Sequence, residues 1–386
     1  MQDLDYINFK IFDILVECLH QDKTCIEIKN FNNTYRYDSK LDTVFSDPKK
    51  RWKEYIPLKT VSRIPHDLTF KQVFFELNYN RQITLTNHSF EPILYEIDHK
   101  FWNILKNYIE KFLDIPNDYF KNDYIILHSE ISSEVSALNE YNCIPVHFFG
   151  NGVLAAEHWY RNYTGIKLYE DYKAIEHKFI CANRLIDEKR KYRIKFLNLI
   201  DVNAGLYSLL ERDPYTGVSL NEILPANRIK PNSFDNHNNS SSEIVVSAWN
   251  EEKEIYNFTP WATSFLHIVS ETMIDRVHLT EKVFKPVVLK QPFVLLCGAG
   301  ALNYLKGYGF KTFDGFWSEE YDQIQDEDKR LQAVADIVNR IGKMTLAECE
   351  QMREQMKPIL EHNYNWFYNG FADQCWQELR DNLVSL

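Results

Sequence analysis

The sequence has no C-x-x-C pair, and its seven cysteines, Cys18, Cys25, Cys143, Cys181, Cys297, Cys349 and Cys375, are scattered singly along 386 residues. That spacing suggests neither a disulfide framework nor a structural zinc site, and it fits a reducing, cytoplasmic setting. Net positive charge is missing as well. Lys and Arg number 44 against 55 Asp and Glu, a formal charge of -11. This argues against a general nucleic-acid binder or an anionic-membrane binder, because both need a basic surface. No run approaches the roughly 18 unbroken apolar residues of a membrane span, so no transmembrane segment is expected. The opening MQDLDYINFKIFDILVECLH carries acids inside its apolar pattern and has no basic lead, unlike a secretory signal. The sequons at Asn32 and Asn162 are accordingly taken as chance products of an Asn-rich chain. H-E-x-x-H, G-x-x-x-x-G-K-[ST] and G-x-S-x-G are all absent, so zinc protease, P-loop and serine hydrolase readings lack their motifs. No internal repeat is visible.

What is present is an aromatic-rich globular composition, 45% hydrophobic with 23 Tyr and 25 Phe. The length exceeds one ordinary domain, so two α/β domains are expected. Residues 7–20 have helical apolar spacing, strand-like runs fall at 83–85 and 93–97, and 99–113 reads as an amphipathic helix. The apolar run 123–127 ends in His128-Ser129-Glu130, and 144–149 ends in Gly150-Asn151-Gly152 before a helix at 153–161. From Lys178 a β-loop-α alternation begins, with strands at 179–182, 244–248, 265–269 and 292–297, a basic helix over 187–200, and a polar loop at 228–243. The order predicts parallel strands. We place an N-terminal domain at 1–170, a C-terminal domain at 171–345, and helices over 346–386 that cross back onto the first domain.

Two constellations carry chemistry. Ser270-Glu271-Thr272 ends a predicted strand, and Thr280-Glu281-Lys282 opens a predicted helix, with Thr280 as N-cap. Amides behind such a cap, together with the helix dipole, suit a phosphate, with Lys282 adding positive charge and Glu281 facing ribose hydroxyls. Local rules are not all obeyed: Val283 stands where a capping-box acid belongs, and Pro286 would kink a helix already begun. An ordinary solvated helix start is the bland alternative. The second constellation is Asn183-Arg184 followed by Lys189, Arg190, Lys191, Arg193 and Lys195. Arg190 and Arg193 share a helix face, which suits a bidentate grip on a diphosphate, although a solvated charged face has the same spacing. Gly298-Ala299-Gly300 has Asn303 at the third glycine position of a dinucleotide fingerprint and is read as a tight turn. Asp326 and Asp328 have the spacing of a divalent-metal pair but precede Lys329-Arg330, where a helix N-terminal acid cluster fits better.

Taken together, Phe265 to Thr272, Thr280-Glu281-Lys282, Pro292-Phe293-Val294 with its glycine turn, and Ala182-Asn183 with downstream Arg190 resemble the donor-binding signature of α-1,3-fucosyltransferases and related bacterial and viral glycosyltransferases. The resemblance covers roughly residues 178–345. It implies a GT-B fold of two Rossmann-like domains facing across a cleft, and an inverting transfer that needs no essential metal or cofactor. The partners would be a nucleotide-sugar donor of GDP-fucose type and a saccharide acceptor. It also implies that Glu281 binds the ribose, that Lys282 with Arg190 or Arg193 binds the diphosphate, and that Glu271 lies near the sugar, with Asn183, Arg184, Ser270 and Thr280 lining the donor site. His278-Leu279 and Ser270-Glu271-Thr272 depart from the family's pattern, which leaves the donor base and sugar open. An inverting transfer also needs a general base, expected from the first domain: Glu130 first, with His128 and Glu134 as neighbours. Glu157, His158 and Arg161 are candidates for another wall. The alternatives are a metal-dependent GT-A transferase using Asp326 and Asp328, and a non-catalytic saccharide-binding protein that keeps a transferase fold.

Overall fold

The computed structural model describes residues 10–11, 14, 17–18, 25–30, 34–38, 57–59, 72–77, 82–87, 124–132, 135, 143–162, 171–183, 190–208 and 259–386. The expected elements at 93–97, 99–113 and 244–248, the polar loop at 228–243, and Glu134, Arg184 and Lys189 lie outside them. The fold is mixed α/β with parallel strands. Chain contacts divide it into two units, Met1–Asn151 with Asp373–Leu386, and Gly152–Ala372. The two units meet at 151/152 and at 372/373.

In the first unit, β1 (Cys25–Asn30), β2 (Thr34–Asp38), β3 (Pro57–Lys59), β4 (Gln72–Leu77), β5 (Gln82–Asn87), β6 (Tyr124–His128) and β7 (Cys143–His147) form one sheet in the order β3-β2-β1-β4-β5-β6-β7. Pairing is antiparallel from β3 to β5 and parallel from β5 through β7. Both β6 and β7 are five residues long, and their β-branched residues are Ile125 and Ile126 in β6 and Ile144 and Val146 in β7. Their last residues, His128 and His147, are register partners.

The chain then turns through α1 (Gly150–Leu154) and a π-helical turn, Ala155–Trp159. The second unit contains β8 (His177–Cys181), α2 (Tyr192–Leu199), β9 (Leu206–Tyr207), α3 (Thr259–Ala262), β10 (Ser264–Ser270), α4 (Phe284–Val288) and β11 (Phe293–Leu296). These strands form a fully parallel sheet in the order β11-β10-β8-β9. Every residue of β10 is buried, which is why its sequence is a near-continuous apolar run rather than an alternation. The chain winds outward from β8 to β9 and then resumes on the other side at β10. Open α/β sheets collect ligands beyond the carboxyl ends of the two strands flanking such a reversal, here β8 and β10.

After β11 come α5 (Ala301–Gly307), α6 (Glu327–Gly342), α7 (Leu346–Trp366), a second π-helical turn (Phe367–Phe371) and α8 (Ala372–Val384). Thr345 and Glu348 form a reciprocal capping box that starts α7. Of the two C-terminal helices expected to return to the first domain, α7 belongs to the second unit and residues 373–386, nearly all of α8, to the first. A stripe of Cys375, Trp376, Leu379 and Leu383 is buried at helical spacing, with Trp376 5.1 Å from Phe148. Among the described residues no helix is long and apolar enough to cross a membrane.

Candidate functional site

The carboxyl end of β10 delivers Ser270 and Glu271, and the next nine residues bring Thr280 back onto them. Glu271 is fully buried, and its carboxylate accepts from the Thr280 amide at 3.0 Å and the Thr280 hydroxyl at 2.6 Å. Lys282 closes the group: its Nζ donates to Thr280 Oγ1 at 2.8 Å and lies 3.9 Å from Glu271 Oε2 and 3.4 Å from Glu281 Oε1. Burial pushes the Glu271 carboxyl above its ordinary value, while Lys282 and the Thr280 donors pull it back. Lys282 itself is 36% exposed, so its ammonium reaches the surface from a fixed base.

Thr280 caps the turn as expected, its hydroxyl also accepting from the Lys282 amide at 3.5 Å. The element it opens differs from the expected helix. Glu281–Val283 is a 3₁₀ turn, and α4 begins only at Phe284. Pro286 therefore sits in the first turn of α4, where its missing N–H has no carbonyl to serve, and no kink arises. The capping-box position is likewise unneeded, because the Thr280 amide is taken by Glu271 from the preceding strand.

Arg193 lies on the same group from below. It is buried, and its guanidinium donates to the carbonyls of Glu271 at 3.0 Å and Ser270 at 3.4 Å, alongside the Tyr192 hydroxyl, which also bonds the Glu271 carbonyl. These bonds fix the strand end, whereas Arg190, one turn earlier, is only half-buried. At the end of β8, Asn183 is buried with its amide nitrogen donating to Cys181 Sγ at 3.4 Å, and Cys181 lies 3.9 Å from Ser270 Oγ. Ser208 fixes its backbone in both directions, at 2.7 and 2.9 Å. Asn183 Oδ1 is buried without a hydrogen-bond partner.

The structure thus gathers Asn183, Arg193, Ser270, Glu271, Thr280, Glu281 and Lys282 at the carboxyl ends of β8 and β10. Residues that the sequence did not single out hold this group: Tyr192, Ser208 and Tyr160, whose hydroxyl donates to the Glu281 carbonyl at 2.9 Å. Only Tyr192 had a visible clue, its place beside Arg193. His278, one of the residues that depart from the resembled pattern, is fully buried.

Gly298 and Gly300 do form a tight turn: a Cβ on Gly298 would lie 2.2 Å from the Arg276 carbonyl carbon, and Gly300 has φ +89°. The amides beyond it, of Leu302 and Asn303, are bound by the Asp322 carboxylate at 2.8 and 3.1 Å, so the chain's own acid fills the place of a phosphate. Asp326 caps α6, accepting from the Lys329 amide at 2.9 Å, and Asp328 pairs with Lys195 at 3.0 Å. Among the described residues no group of three or more His, Cys, Asp or Glu is placed to hold a metal ion. In the first unit, His128 and Glu130 lie at the end of β6, both buried. Glu157 is half-buried and Arg161 exposed, the latter bonding the Tyr368 carbonyl at 2.8 Å.

No protein-family description, curated protein or solved structure matches this chain.

Proposed function

We propose that the protein is a glycosyltransferase of GT-B arrangement, with the second unit as the nucleotide-sugar domain and the first as the saccharide-acceptor domain. The observation that carries this is the Glu271-Thr280-Lys282 group at the carboxyl end of β10, beside the reversal between β8 and β10. A buried carboxylate and hydroxyl that pin a half-exposed lysine make a preorganised cation, which is what a departing diphosphate requires. Glu281, adjoining it, is the carboxylate for ribose hydroxyls, and Arg190 the second cation. Glu271 acts through Thr280 and Lys282, since full burial keeps its carboxylate from a sugar. Asn183, with its unpartnered Oδ1, offers one further acceptor at the end of β8. The transfer inverts the anomeric centre and draws its charge stabilisation from side chains rather than from a metal, in a cytoplasmic protein.

A thermal-shift screen of GDP, UDP, CMP and dTDP, followed by incubation with the matching nucleotide sugars, tests this. A bound nucleotide raises the unfolding temperature with the logarithm of its excess over Kd. Absence of nucleotide binding, donor hydrolysis and transfer together would sink the proposal. Saccharide binding without any nucleotide binding would point instead to a non-catalytic lectin-like role.

A further inference from the structure

Two π-helical turns of the second unit pack together beside the turn that carries Glu281. In the first, Ala155–Trp159, the Tyr160 amide reaches back to the Ala155 carbonyl, five residues earlier. A turn of this kind takes in one extra residue, so carbonyls shift off the helical ladder and need other donors. Arg161 supplies them on both turns. Its Nε donates to the Ala156 carbonyl at 3.1 Å, and its Nη2 to the carbonyl of Tyr368, in the second turn, at 2.8 Å. Tyr368 returns the contact, its hydroxyl donating to the Tyr160 carbonyl at 3.4 Å, and the Tyr160 ring lies 6.2 Å from that of Phe367, edge to face. The two turns thus form one cross-linked layer.

This layer grips the Glu281–Val283 turn at both ends. Tyr160 is 3% exposed, and its hydroxyl donates to the Glu281 carbonyl at 2.9 Å. The Phe284 amide, which closes the 3₁₀ turn, bonds the same carbonyl. The Phe284 ring is fully buried, 5.1 Å from both Phe367 and Phe371. Thr280 and Lys282 are held separately, by Glu271 from the end of β10. The backbone of Glu281 is therefore fixed from one side and Lys282 from the other. The Glu281 side chain keeps 15% of its surface exposed. A carboxylate on a fixed backbone has less freedom to lose when it binds, and an error of about 1 Å in its placement would loosen a hydrogen-bonded site.

We propose that Tyr160, with Arg161 behind it, is a positioning residue for Glu281, holding that carboxylate where it accepts the hydroxyls of a donor ribose. This rests on the nucleotide-sugar reading above. Tyr160 touches no part of the nucleotide and acts through the Glu281 backbone. Its influence should fall on the ribose alone, because the diphosphate is held by Lys282 and its own anchor.

The test measures binding by calorimetry, with the nucleoside diphosphate found by the screen and its 2′,3′-dideoxy counterpart as the two probes. The wild-type protein is expected to prefer the ribose form by about ten- to a hundredfold, the value of hydrogen bonds to a charged group, and Glu281→Ala to abolish the preference. Tyr160→Phe, which deletes one hydroxyl and keeps the ring, is expected to reduce the preference by about three- to tenfold while binding of the dideoxy form stays within about twofold. A merely structural role for Tyr160 would weaken both probes alike. Equal weakening of the two, or an unchanged preference, in Tyr160→Phe overturns the proposal and leaves the nucleotide-sugar reading standing. A preference that survives in Glu281→Ala overturns it as well, since the ribose is then held elsewhere. Should Tyr160→Phe fail to unfold cooperatively, Arg161→Ala, altered at an exposed side chain, decides on the same criterion. A wild-type protein that binds no nucleotide removes the parent reading and this proposal together.

Discussion

Thr280→Ala removes the hinge pin of the candidate donor site. The Thr280 hydroxyl donates to Glu271 at 2.6 Å, accepts from Lys282 Nζ at 2.8 Å and caps the Lys282 amide at 3.5 Å. Without it, Glu271 Oε2 stays in a fully buried position with Lys282 at 3.9 Å as its remaining charged partner. Loss of the cap costs about 1 kcal/mol, and a buried charged acceptor stripped of a donor costs about 1–3 kcal/mol. The terms share atoms and do not add fully, so a total of about 2–3 kcal/mol is expected. For a unit of this size that lowers Tm by about 4–12 °C. The loss should also depend on pH. Burial already holds the Glu271 carboxyl above the ordinary carboxylate value, and removing Thr280 donors raises it further. A carboxyl whose folded pKa exceeds its unfolded pKa binds more protons when folded, so it costs stability as pH rises from the unfolded value toward the folded one. The Thr280→Ala deficit should therefore be larger at pH 7 than near pH 4.5, and Thr280→Ser should retain most of the wild-type stability. Urea unfolding followed by circular dichroism at both pH values measures this. A deficit below about 0.5 kcal/mol, or one that is equal at the two pH values, would refute the reasoning.

Lys282→Ala should weaken binding of the nucleoside diphosphate found in the screen by about ten- to a hundredfold, since a charge-assisted contact contributes about 1.5–3 kcal/mol; titration calorimetry with unchanged Kd would remove Lys282 from the site. Gly298→Ala drives a methyl into the Arg276 backbone and should destabilise by about 1–3 kcal/mol or more in the same unfolding assay, with a wild-type midpoint contradicting the packing described. Asp322→Ala uncaps α5 and should cost about 1–2 kcal/mol, whereas Asp328→Ala, which breaks only an exposed pair with Lys195, should cost less than about 1 kcal/mol. If Asp328→Ala or EDTA abolishes transfer, the metal-dependent alternative replaces the metal-free one.

The sequence by itself determined the parallel strands of the second unit and the position of the Thr280 cap. Runs such as Phe265 to Val269 and Phe293 to Leu296 are apolar without alternation because both their faces are covered, and that signature is local. It also placed Ser270-Glu271 and Asn183 at strand ends, because polar residues that stop an apolar run must lie at its edge. Tertiary structure decided what those residues do. Arg193 shares a helix face with Arg190 on the chain, yet it points into the carbonyls of a strand 77 and 78 residues away. No spacing rule joins Glu271 to Thr280, yet the fold buries both and bonds one to the other. Tyr160 bonds the Glu281 carbonyl 121 residues on, and His147 meets Glu378 of α8, pairs that no spacing rule contains. Periodicity reports which face of an element is covered, whereas hydrogen-bond partners and desolvation depend on what covers it, and that is set by contacts between elements distant along the chain.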